Sequence, residues 1–142
     1  MHNMYEAYRR MYDALDVKNI DNILPPPQPP MPVDPATENG NMIKGMPVMA
    51  FQQQDHVAHI RVHAAMLQQP ATATNPQAFM AMQAHVQEHI AMHSRDLVQE
   101  MFQEIGTQAQ AQGEPIPDLN PDALEAAVAQ QVADTTEELA PL

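Results

Sequence analysis

Residues 54–70 read QDHVAHIRVHAAMLQQP and residues 75–101 read NPQAFMAMQAHVQEHIAMHSRDLVQEM, and their spacing decides the fold. At about 100° per residue, His56, His59 and His63 form one narrow stripe on a helix. That stripe lies between Val62 and Met66 on one side and Ile60 and Leu67 on the other, in the middle of the apolar face. In the second stretch His85, His89 and His93 border a face made by Phe79, Met82, Val86, Ile90, Leu97 and Met101. The periodicity predicts helices over 54–68 and 76–105. The link from Gln69 to Asn75 carries Pro70 and two Thr, and a link so short makes an antiparallel helical hairpin the default. Folding it brings His63 toward His85, His59 toward His89, and His56 toward His93.

Toward the N-terminus, Met4, Tyr8, Met11, Tyr12 and Leu15 share one face at helical period and predict a helix over 3–15. A short turn from Ile20 to Leu24 follows. Residues 25–35 then hold seven prolines in eleven positions. Proline fixes φ and lacks an amide donor, so this stretch is an extended strap, neither helix nor inner strand. Asp34-Pro35, Asn75-Pro76 and Asn120-Pro121 each place a short capping side chain before a proline, which marks a helix start. The first predicts a short helix ending near Gly45, and Met46 to Phe51 reads as an extended connector. Toward the C-terminus, residues 106–119 read as a Gly-, Gln- and Pro-rich linker. Residues 121–132 read as a last short helix with Leu124, Val128 and Val132 on a stripe, and a disordered end is expected from Thr135. No strand pattern is convincing. The expected class is all-α: an antiparallel helical hairpin with flanking short helices, joined by a proline-rich strap and irregular linkers. Its expected parts are an N-terminal helical segment (1–24), the strap with a short helix (25–53), the hairpin (54–105), and an acidic linker, short helix and tail (106–142).

Composition narrows the function. Cysteine is absent from the 142 residues, which excludes a disulfide scaffold, a thiol nucleophile and a cysteine zinc site. Tryptophan is absent, Met numbers 12, and Met with Ala supplies much of the apolar content. Such side chains fill gaps without specifying tight packing, so a core completed by partners is expected. No apolar run approaches a membrane span and no signal peptide is recognisable, so the expected setting is the cytosol, away from membranes. The formal net charge is −12, and after Arg95 the chain has ten acidic residues and no Lys or Arg. That balance repels phosphates and argues against sequence-specific DNA binding. It suits a solvated tail, or a surface past which DNA slides. Ser94 is the lone serine and lacks a nucleophile elbow, and four glycines form no phosphate loop. The chain is therefore expected to be no enzyme, without catalytic or cofactor-binding residues.

The histidines admit three readings. His59, His63, His85 and His89 could supply four imidazoles to a transition metal, with Glu88 or Asp55 adding a carboxylate. A semi-polar seam of neutral imidazoles without metal explains the same spacing and is the expectation here. A third reading is a pH-sensitive interface, loosened when clustered histidines charge. The remaining carboxylates are expected on solvated faces.

Three stretches carry a resemblance: NMYEAYRRMYDALDVKNIDNIL (3–24) running into Pro25-Pro26-Pro27, DPATENGNMIKGMPVMAF (34–51), and the hairpin QDHVAHIRVHAAMLQQP with NPQAFMAMQAHVQEHI (54–70 and 75–90). In content and order they resemble the portal proteins of tailed bacteriophages, over most of residues 3–95. The resemblance implies the C-terminal, crown- or barrel-side part of a subunit in the ring that joins head to tail. It implies copies of itself or the rest of the portal as partners, with terminase and head proteins around them. DNA would pass through the ring without sequence-specific binding. The location implied is the virion, and the host cytoplasm during assembly. Whole portal proteins are several times longer, so the resemblance implies a fragment. Residues after about 106 match least. The alternatives are a small His-rich metal-binding helical protein, or a helical adaptor with an independent partner.

Overall fold

The computed structural model describes residues 3–115 and 120–140. Among them the chain forms seven helices and no strand, so the fold is all-α. It divides into two compact units, 1–31 and 32–142.

The first unit holds α1 (Met4–Ala14) and α2 (Ile20–Ile23). Asn3 caps α1, its side chain accepting from the Glu6 amide. Asp16 and Asn19 turn the chain with φ of 53° and 59°, the left-handed region that Asp and Asn tolerate better than other side chains. Arg9 ties the two helices by a 2.6 Å ion pair to Asp21, and this pairing raises the guanidinium pKa. No residue of α1 is buried, and Met4, Tyr8, Met11 and Leu15 leave its apolar face exposed.

The second unit holds α3 (Pro35–Ile43), α4 (His56–Leu67), α5 (Pro70–Ala73), α6 (Pro76–Gln112) and α7 (Pro121–Leu139). The three Asp/Asn-Pro starts behave as read: Asp34, Asn75 and Asn120 each accept an amide hydrogen three residues on. Asp55 does the same for α4. Gly45 closes α3 at φ 74°, with its amide donating to Met42 and that of Met46 to Asn41. This is the left-handed stop that glycine permits cheaply. The helices α4 and α6 pack as the expected hairpin, with the single turn of α5 inside the link. The α3 helix lies against both, and α7 packs on α6 and α4. Ile60, Leu67, Met82, Val86 and Ile90 meet Met42 of α3 and Ala140 beyond α7 in one apolar core.

The C-terminal reading needs correction. α6 does not stop near 105; it runs through Gly106 to Gln112 and ends at Gly113, φ 70°. A helical glycine costs roughly 1 kcal/mol without forcing a stop, and the Gln/Ala run behind it propagates the helix. Nor does order end at Thr135, since α7 continues to Leu139. Thr135 is buried, and Ser94 donates to its hydroxyl at 3.3 Å. The 106–142 segment is thus largely helical where described. The linker reading of 116–119 and the tail reading of 141–142 lie outside the described residues.

Candidate functional site: a buried histidine and carboxylate cluster

The centre of the second unit is polar. Glu38, His63 and His89 are 0% exposed, and His56, His59 and His85 are also buried. Three helices position this cluster. On α4, His56, His59 and His63 fall on the buried face with Ile60, Ala64 and Leu67. On α6, His85 and His89 sit one turn apart between Met82, Val86 and Ile90. On α3, Glu38 stands one turn before Met42, so the face that carries the apolar anchor also carries the carboxylate into the core.

The ε-nitrogens converge on that carboxylate. Glu38 Oε2 lies 3.0 Å from His85 Nε2 and 3.1 Å from His63 Nε2. It lies 3.5 Å from His59 Nε2 and 3.9 Å from His89 Nε2. The Nε2 atoms of His85 and His89 are 3.1 Å apart. Gln54 fixes the other carboxylate oxygen, donating to Glu38 Oε1 at 2.8 Å. Its own oxygen accepts from the Phe51 amide, which ties the connector to the site.

The δ-nitrogens face outward, each to a definite partner. His63 Nδ1 lies 2.7 Å from Asn39 Oδ1, and His85 Nδ1 lies 3.0 Å from Glu88 Oε2. His59 Nδ1 lies 2.8 Å from the Asp55 carbonyl, and His89 Nδ1 lies 2.8 Å from His56 Nδ1. His56 Nε2 is buried without a hydrogen-bond partner.

Desolvation dominates the electrostatics. Burial, then repulsion from His85, holds the His63 pKa down at about 4, against the pull of Glu38. Burial, then His85 and the other neighbouring imidazoles, holds His89 at about 3. His56 is lowered mainly by burial. Neutral imidazole is the form that coordinates metal ions and the form that hydrogen-bonds in both directions. The cluster can therefore order three helices by hydrogen bonding, or hold a cation.

The hairpin register follows the sequence reading in two of its three pairs. The rings of His59 and His89 stack at 4.6 Å between centroids, and those of His63 and His85 meet at 5.1 Å. In the third, His93 lies near enough to His56 to help lower its pKa but is only partly buried, and the ring that His56 meets is that of His89. Of the four candidate ligands, His63, His85 and His89 join Glu38 in one set whose ligand atoms all lie within 4.8 Å. His59 borders it, with Nε2 3.2 Å from both the Val33 carbonyl and Gln54 Nε2.

The carboxylate reading is also corrected. Glu38 is not on a solvated face, and it, not Glu88 or Asp55, reaches the ε-nitrogens. Glu88 instead holds the back of the His85 ring, and the Asp55 side chain caps α4. An acidic residue in the first turn after Asp34-Pro35 reads as ordinary helix-dipole complementation. The i,i+4 relation between Glu38 and Met42 was the available signal that this residue turns inward. Compared with protein-family models, curated proteins and solved structures, the chain gives no match.

Proposed function

We propose that the chain is a structural, non-catalytic part of a portal ring of a tailed bacteriophage, on the crown or barrel side. The observation that carries this reading is the ordered set of stretches at 3–24, 34–51, 54–70 and 75–90 that resemble portal proteins. The helices α3, α4 and α6, drawn from the last three stretches, share one core, which suits a single building block inside a larger subunit. Exposed Met4, Tyr8, Met11 and Leu15 on α1, and exposed Val62 and Met80 on the hairpin, support a protein completed by neighbours. The formal charge of −12 supports a surface that DNA passes without adhering.

In this reading the partners are further copies of the chain or the rest of the portal, with terminase and head proteins beyond them, in the virion and in host cytoplasm during assembly. The test is the mass of the purified chain by light scattering over a range of concentrations, with electron microscopy of the same sample. Defined ring-sized particles are expected. A compact monomer or dimer that carries stoichiometric metal and persists at the highest concentration sinks the reading.

A further inference from the structure

We propose that Glu38, His63, His85 and His89 form a buried site for one divalent first-row transition ion, of which Zn(II) is the reference case. The inference concerns the second unit alone and does not rest on the ring reading.

The proton positions around the cluster favour a cation. His85 Nδ1 faces a carboxylate oxygen of Glu88, and His63 Nδ1 faces the amide oxygen of Asn39. Both partners accept, so a neutral ring keeps its proton on Nδ1 and turns a lone pair inward on Nε2. His89 does the same when its Nδ1 donates to His56 Nδ1. Glu38 Oε2 is an acceptor as well. Glu38 Oε2, His63 Nε2 and His85 Nε2 then face one another as acceptors across 3.0 and 3.1 Å, and in this tautomer His89 Nε2 joins them 3.9 Å from the carboxylate, all on buried side chains. A group of lone pairs buried without a donor is costly. A cation at their centre removes the conflict.

The dimensions and donor types suit a transition ion. Metal–nitrogen bonds of about 2.0–2.1 Å in a tetrahedron put ligand atoms about 3.3 Å apart. The His63–Glu38, His85–Glu38 and His85–His89 separations of 3.1, 3.0 and 3.1 Å lie close to that edge, the His89–Glu38 separation of 3.9 Å is longer, and all ligand atoms lie within 4.8 Å of one another. Three imidazoles with one carboxylate favour borderline ions over calcium or magnesium, which prefer all-oxygen shells. The outer partners are in place too. Glu88 on His85 forms the carboxylate–histidine pair that orients a ligand and raises its basicity. Glu38 and Glu88 together balance a divalent charge. An entry path exists as well: a groove of about 230 Å³, lined by Met42, Met46, Val48 and Ala84, opens on His85 and Glu88. His59 stays outside the set, its Nε2 against the Val33 carbonyl.

The experiment uses the full chain, stripped with a chelator and titrated with Co(II), then Zn(II). One Co(II) per chain is expected, with visible ligand-field bands of a low-coordinate nitrogen and oxygen site. Zn(II) should displace it, and either ion should raise the thermal midpoint. His85→Ala should abolish the bands and His93→Ala should keep them. Glu88→Gln alters no ligand, and the Glu88 side chain is 53% exposed, so the fold should survive. It should weaken Co(II) binding roughly 10-fold or more, which decides the matter if His85→Ala fails to fold. Two results overturn the proposal. One is a folded, metal-free chain with no bands and no change in melting at excess Co(II) or Zn(II), which leaves the cluster a hydrogen-bonded seam between three helices. The other is binding that Glu88→Gln leaves unchanged, which puts the ion elsewhere.

Discussion

Acid should unfold the metal-free chain early, and the histidines set the size of the effect. His63 and His89 are held near pKa values of about 4 and about 3, against an ordinary 6.5. Their folded pKa values are depressed, so below pH 6.5 the unfolded chain takes up protons that the folded chain refuses. Stability is therefore full above about pH 6.5 and falls as the pH drops toward the folded values. Each pKa unit is worth about 1.4 kcal/mol, so at pH 5 each ring withholds about 2 kcal/mol and the pair at most about 4 kcal/mol. His56 is shifted in the same direction and adds to the loss. A domain of ordinary stability holds only about 5–15 kcal/mol, so the effect is large. With a urea dependence of about 1–3 kcal/mol per molar, the urea midpoint should fall by about 2 M between neutral pH and pH 5. The assay is urea unfolding of the chelator-treated chain, followed by far-UV circular dichroism at several pH values. A midpoint that stays level or rises on acidification would refute the reasoning. It would mean that His63 and His89 already carry charge in the folded state.

Two further outcomes test the packing. Ile90 is 0% exposed in the apolar core, so Ile90→Ala should cost about 2–5 kcal/mol in urea unfolding, whereas Val62→Ala, at 38% exposure, should cost under about 1 kcal/mol. Thr135 is buried against Ser94 and α7 runs to Leu139, so the amides of 125–139 should be protected from hydrogen exchange; immediate exchange of the whole segment would show that α7 does not dock.

The hairpin was legible because both of its signals are local. The period of Ile60, His63 and Leu67, and of Met82, Val86 and Ile90, needs only the helical repeat. The helix starts at Asp34, Asn75 and Asn120 needed only a capping side chain and a following proline. The ends of α6 and α7 were less legible. Gly106 looks like a stop in sequence, but only the left-handed Gly113 is one. The stretch from Thr135 looks like a tail until Ser94, 41 positions earlier, is placed against it.

The candidate site divides along the same line. Sequence alone determined that histidines at i and i+4 on two helices would face one another, because the interval and the short link impose it. It also determined an all-α chain without cysteine chemistry. Only the tertiary structure decided which carboxylate enters. Glu38 lies 25 and 47 positions from His63 and His85, and no local pattern reports how α3 crosses a hairpin. The crossing is set by Met42 seeking the apolar core, and the carboxylate one turn earlier on the same face follows it inside. Once there, its distance to four imidazoles, and the partners behind each ring, are properties of packing that the linear order of residues does not contain.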